Sequence, residues 1–267
     1  MATDKTIDTR VTLDTDQAKE LSFRAKRGIR FFFGQRTLQT LTFLEAAVFA
    51  GLVGMFIWRW QAADRYSWAI FPVWLVGSFL LHQDTPKTLG WRGDNLWIAT
   101  RQGLWMFAAF IAAIVIAGIS LGALHRTPQH LLDSHRFIGY FAFCTLQQVA
   151  VNSYLMNRFL YATSTPISSP STLDSNAARQ EHPIIAAALS SFVFGALHWP
   201  NPVLIPVTLI GGFGMCLLFA KQRNILPLTL GQAILGGLTW WAFPIAWHHS
   251  MRVGPGYYTF AQRLVHW

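Results

Sequence analysis

The chain has 267 residues, of which 52% are apolar and only 12% charged, with 12 Trp and 21 Phe. A soluble chain carries about twice that share of charge, so an ordinary soluble domain is excluded and an all-α, polytopic transmembrane bundle is expected. The net charge of +9 fits membrane topology better than nucleic-acid binding, and Cys144 and Cys216 lie inside apolar runs without a CxxC motif, which argues against a disulfide framework.

Residues 1–15 are polar and read as loosely attached, and the first 37 residues show no cleavable signal peptide. From Asp16 a different pattern begins. Asp16 can cap a helix with Glu20 in its first turn. Leu21, Phe23, Ile29, Phe31, Phe32 and Phe33 then interleave with Arg24, Lys26, Arg27, Arg30 and Arg36. This is the pattern of a basic amphipathic helix on an anionic membrane face; a plain cytoplasmic extension into the first span is the alternative. The expected organisation is an N-terminal segment over residues 1–37, a transmembrane bundle over 38–247 and a tail over 248–267.

Apolar runs recur at Leu38–Trp58, Tyr66–Leu81, Gln102–Leu124, Phe137–Leu160, Pro183–His198, Leu204–Ala220 and Ile225–Trp247. Several approach the ~20 residues a bilayer requires; the fifth is short. Counting these runs predicts about seven spans. With the N-terminus in the cytoplasm, every Lys and Arg except Arg59, Arg65, Arg126, Arg136, Arg252 and Arg263 falls on the inner side. That bias predicts N-terminus in and C-terminus out, in a bacterial inner membrane. The Ser-, Thr- and Pro-rich stretch Thr163–Asn176 reads as a flexible linker. The tail, with its Gly-Pro-Gly turn, is expected to fold back on the outer face.

Several polar groups interrupt the runs. In the fourth, Gln147 and Gln148 are adjacent and Asn152 follows four residues after Gln148, on the same helical face. Three amides in a turn and a half are costly in hydrocarbon unless they face protein, water or a ligand. Glu45, a third of the way into the first run, is either a functional carboxylate or a hydrogen-bonded one near the interface. His198 ends FVFGALHWP, as a structural residue or as a ligand or catalytic group. Gln232 lies among Gly231, Gly236 and Gly237, where glycines admit a close helix and the amide can bond across the contact. His248 and His249 point about 100° apart on a helix and read as solvated tail residues rather than a metal pair.

Taken in order, these segments resemble the CPBP family of intramembrane proteases, which includes the type II CAAX prenyl endopeptidases and Abi-like proteins. That family's core carries EExxxR, FxxxH and HxxxN or HxxxD motifs, whose glutamates and histidines activate a water for peptide hydrolysis within the membrane. LQQVAVNSYLMNRF resembles the first segment. SSFVFGALHWPNP resembles the second, with Phe194 and His198 in the motif places. GGFGMCLLFAKQRNILPLTLGQAILGG resembles the glycine-rich span, basic turn and third motif, and DTPKTLGWR the loop before the core. The resemblance covers about residues 85–240. It places Gln147 and Gln148 at the two glutamates, Asn152 at the arginine, Gln232 at the later histidine and Gly236 at the Asn or Asp.

The departures decide the expected chemistry. A carboxylate can deprotonate water; a carboxamide cannot, and losing a general base alone costs about 10²–10⁴-fold. One histidine among neutral amides makes a poor zinc shell, so neither metal nor cofactor is expected. The first reading is therefore a proteolytically inactive CPBP-like protein that acts by binding, as an accessory or scaffold subunit with membrane lipids and another integral membrane protein as partners. A second is an altered hydrolase with His198 as base, Gln147 and Gln232 as oxyanion donors and Glu45 entering the site. A third is a lipid-, quinone- or pigment-binding component with His198 as axial ligand.

Overall fold

The structure is a computed structural model that describes residues 34–64, 66–124, 134–166 and 179–265. The amphipathic helix expected from Asp16 lies outside the described residues, except for its last few positions, and so does most of the Thr163–Asn176 linker. Contacts divide the chain into two units, residues 1–41 and 42–267. Of the first unit, only residues 34–41, which include the start of α1, are described.

Helices occupy all seven apolar runs. Helix α1 (Gln35–Met55) buries Thr42, Ala46 and Phe49, spaced four and three apart, so one stripe faces protein. It continues as a π segment, Phe56–Trp60. Helix α2 (Ile70–Leu81) buries only Ser78. Helix α3 spans Leu96–Ser120. Helix α4 (Ser134–Gln148) runs without a break into a second π segment, Val149–Met156, and then α5 (Asn157–Thr163). Thr165 and Gln180 pair in a two-residue antiparallel strand contact. Helix α6 (Pro183–Ala196) opens on a proline, whose missing N–H costs nothing at a first turn. Helix α7 (Leu204–Gln222) ends at Arg223, in the left-handed region.

Among the described residues, three helices are long and apolar enough to cross a membrane: Gln35–Trp60, Leu96–Ser120 and Leu204–Gln222. The fifth run is indeed short: its helix has 14 residues. The seventh is not the single segment expected. Helix α8 (Leu226–Ala242) stops where Phe243 turns extended before Pro244, and α9 (Ile245–His248) follows. Proline pushes the residue before it out of helical geometry, which apolarity alone does not reveal.

The tail also departs from expectation. His248 and His249 are buried rather than solvated. Asn201 donates to the carbonyls of His248 and Arg252 at 2.8 and 3.0 Å, and Gly254 N–H donates to the Trp199 carbonyl at 3.0 Å. The tail is thereby tied to the turn after α6, where Trp199–Pro200 is a cis peptide. Helix α10 (Pro255–Val265) follows.

Candidate functional site: an amide chain beside a buried ionic cluster

The amides meet. Asn152 Nδ2 donates to Gln148 Oε1 at 2.5 Å, Gln148 Nε2 to Gln232 Oε1 at 2.6 Å, and Gln232 Nε2 to Gln147 Oε1 at 2.5 Å. These form one directional chain joining α4 and the π segment to α8. Amide nitrogens and oxygens are easily interchanged, but one contact fixes the direction. Gln148 Nε2 also points at Met215 Sδ, 3.3 Å away on α7. A thioether accepts and never donates, so the atom facing it is nitrogen and the rest of the order follows.

Two close approaches seat α8. A Cβ on Gly231 would lie 2.2 Å from the Phe107 ring, and one on Gly236 would lie 1.9 Å from the Tyr140 hydroxyl oxygen. Glycine is the residue that admits these groups. The stretch of α8 carrying Gln232 is thus held against both α3 and α4.

His198 makes a different bond. Its Nδ1 lies 2.6 Å from the Phe194 carbonyl, one turn back, and its ring meets the Phe194 ring edge-on at 4.8 Å. A carbonyl only accepts, so Nδ1 carries the proton. Neither His198 nor Phe194 is hydrogen-bonded to the amide chain.

Glu45 belongs to a second cluster. It accepts from Ser78, meets His82 Nε2 at 2.7 Å and takes the Tyr154 hydroxyl at 3.2 Å. Trp74 donates to that hydroxyl at 2.9 Å. Arg158, 3% exposed, is the hub: its Nη2 reaches Ser78 at 2.8 Å and Asp84 at 2.7 Å, and its Nε lies 3.6 Å from Glu45. The guanidinium also lies 5.3 Å from the centre of the Tyr154 ring. Two carboxylates thus share one guanidinium, with His82 beside them. No bond joins Glu45 to His198. Sequence reading singled out Glu45 and missed Ser78, His82, Asp84, Tyr154 and Arg158. The available signal was Arg158 itself, a charge amid the buried run SYLMNRFL that needs an acid nearby.

The loop after α2 closes the same end. Leu89 and Thr88 carbonyls accept from Ser153 and from Asn157 Nδ2, Asn224 Nδ2 holds the Arg92 carbonyl at 2.9 Å, and Ile225 N–H holds the Gly90 carbonyl at 3.0 Å. Gly90 has φ +85 and lies so near Phe219 and Ile225 that a side chain has no room. In this loop, the Arg92 guanidinium holds the Asp94 carboxyl down to about 2. Among the described residues, no three His, Cys, Asp or Glu are grouped as a metal site needs.

The exposure pattern gives the class. Trp105 is 81% exposed and Leu80 73%, while Asn152 is fully buried. With the apolar helices, this inverted order defines an integral membrane protein. The comparison with protein families then matches residues 153–237 to Type II CAAX prenyl endopeptidase Rce1-like. That domain supports membership of the CPBP family, as the sequence motifs led one to expect. Phe194, His198 and Gln232 fall inside the match; Gln147, Gln148 and Asn152 fall before it. Comparisons with curated proteins and with solved structures found no match.

Proposed function

We propose that this CPBP-type membrane protein acts by binding, as an accessory or scaffold subunit of a membrane complex, and not by cleaving peptides. One observation carries the reading. The residues that the resemblance puts at the two glutamates and the later histidine are Gln147, Gln148 and Gln232, and they are spent on one another in a neutral chain. Each amide donates or accepts a hydrogen bond, but none takes a proton from water near neutral pH, and hydrolysis needs a base that does. Glu45, the carboxylate nearest in role, is held by Ser78, His82, Tyr154 and Arg158.

The outer end of the chain supports a partner. Gln147 is half-buried, and among the described residues nothing accepts from its Nε2. Phe143 and Leu146 beside it are exposed. An amide that keeps donors free next to an apolar face suits a neighbouring helix that brings an acceptor. The finer topology belongs to the same proposal: seven spans, N-terminus cytoplasmic and C-terminus outside, in a bacterial inner membrane. In that arrangement Glu45, Asp84, Arg158 and Arg223 all lie toward the cytoplasmic side.

The test is purification in a gentle detergent. A stoichiometric integral membrane partner, with no hydrolysis of membrane-anchored peptides, is the expected result. A partner-free chain that cleaves such peptides, and stops doing so on His198→Ala, refutes the proposal in favour of a hydrolase centred on His198.

A further inference from the structure

Where α1 runs into its π segment, a groove opens between it and α6. Ala50, Gly54 and Ile57, four and three residues apart on one helical face, supply one wall. Val193, Ala196 and Leu197 supply the other. The groove measures about 190 Å³, and of the residues that line it none is charged and only Trp58 has a polar atom in its side chain. Gly54 leaves room in it: a Cβ there would meet nothing nearer than Leu197 Cδ2 at 3.9 Å, an ordinary contact.

Size and polarity narrow what fits. A water needs two to four polar partners, whereas an apolar cavity of about 150 Å³ stays dry and takes benzene. By that proportion the groove holds about seven or eight carbons. One turn of a helix, about 10 Å across and 5.4 Å long, fills roughly 400 Å³, so a partner helix does not seat in it. Ala50 and Trp58 lie about 12 Å apart along their wall. A side chain offered by a neighbouring helix covers only part of that length, and an extended hydrocarbon chain covers all of it.

One end of the groove carries the marks of a membrane surface. Trp58 is 40% exposed, and Trp199, just beyond Leu197, is 58% exposed. Tryptophan, with an apolar body and a ring N–H, gathers where hydrocarbon meets headgroups. Two arginines belong to this end. Arg59 follows Trp58. Arg252 lies just before Gly254, which packs on Ile57: a Cβ on Gly254 would lie 2.7 Å from Ile57 Cγ2. Both arginines are exposed, and among the described residues neither pairs with an acid. Asp64, the nearest acid to Arg59 along the chain, accepts from Tyr66 N–H instead. An apolar slot that ends at two unpaired cations complements a molecule with a hydrocarbon tail and an anionic head.

We infer that this groove seats one acyl chain of an anionic phospholipid, with Arg59 meeting its phosphate. The tail lies between α1 and α6 as a third packing element. The headgroup sits at the level of Trp58 and Trp199, where a guanidinium donates paired N–H bonds to phosphate oxygens. Hydrocarbon burial holds the tail, and charge selects the head. The site stands apart from the amide chain and the ionic cluster, and it does not depend on whether the protein acts through a protein partner.

The test titrates the full chain, delipidated in detergent, with phosphatidylglycerol and counts retained lipid by native mass spectrometry. The parent should retain one phosphatidylglycerol and hold diacylglycerol, which lacks the phosphate, far more weakly. Gly54→Leu and Ala50→Leu fill the groove with side chain and should each weaken retention about tenfold or more, the factor for two displaced methylenes. Arg59→Gln should weaken it about tenfold, the factor for one charge-assisted hydrogen bond. Arg59 is exposed, so that variant carries the test if a filling variant unfolds early in lipid-free detergent. Equal retention of phosphatidylglycerol and diacylglycerol, or parental retention in the filling variants, overturns the inference. So does a filling variant that keeps its lipid and loses a co-purifying protein, which would give the groove to that partner.

Discussion

Replacing Arg158 with methionine tests the energetic centre of the ionic cluster. The guanidinium is 3% exposed and ties Ser78, Asp84 and Glu45, which come from α2, the loop after it and α1. Arg158→Met removes the cation and leaves two carboxylates facing each other with only His82 nearby. Removing one partner from a buried ion pair costs about 3–5 kcal/mol, because a desolvated charge is left behind. For a chain of this size each kcal/mol moves the midpoint by about 2–4 °C, so a fall of roughly 6–20 °C is expected. Cys144 and Cys216 are both free and buried, so a thiol-reactive dye in a heating ramp reports unfolding directly. Arg158→Lys keeps the charge but loses the planar fork and should fall in between. Removing all the charges at once, with Glu45→Gln and Asp84→Asn added to Arg158→Met, should recover much of the loss. A midpoint for Arg158→Met within about 2 °C of the parent, with the triple variant no better, would refute the view that desolvated charge dominates here.

Three further outcomes follow. Gln232→Leu breaks both bonds that join α8 to Gln147 and Gln148; at about 0.6–1.7 kcal/mol per interhelical bond in a membrane, the midpoint should drop more than for a bond-free position such as Leu230→Ala. Gly236→Ala puts a methyl 1.9 Å from the Tyr140 hydroxyl oxygen and should cost about 1–3 kcal/mol as overpacking; adding Tyr140→Phe removes the clashing atom, and the thermal shift of the pair should be smaller than that of Gly236→Ala alone. Asn224 is buried, donates to the Arg92 carbonyl and the Asn95 side chain at 2.9 and 2.8 Å, and accepts from Leu226 N–H at 3.1 Å; Asn224→Ala should loosen the loop after α2 and speed limited proteolysis between residues 85 and 95, and an unchanged cleavage rate would show that the other bonds suffice.

The sequence was most informative where one segment carries its own message. Apolar runs located the helices, and the spacing of Gln148 and Asn152 put them on a common face, which the structure bears out with a direct bond between them. Proline could have located the break in the seventh run, since Phe243 precedes Pro244, but apolar composition outweighed it. The ionic cluster was harder to see. Glu45, Ser78, Asp84 and Arg158 are separated by up to 113 positions, and nothing in a linear reading pairs a carboxylate in the first run with a guanidinium in the fourth. His248 and His249 were misread for a related reason: their burial depends on Asn201 reaching across from another turn. The Met215 contact that fixes the direction of the amide chain is likewise invisible until α7 packs beside α4.

The π segment Val149–Met156 has a consequence for how this helix tolerates change. It lies between the Gln148 level, which faces α8, and Arg158, which faces α1 and α2. Its wider turns set the angular phase between those two neighbourhoods. Deleting one residue there would let ordinary α-helix re-form, and because each residue turns further in an α-helix than in a π turn, the tighter turns would offset most of the lost step and keep Arg158 close to its present side. Within this stretch the loss of one residue should therefore be borne better than the gain of one, because the wide turns hold a surplus that ordinary turns can shed, and an added residue has no such reserve to draw on.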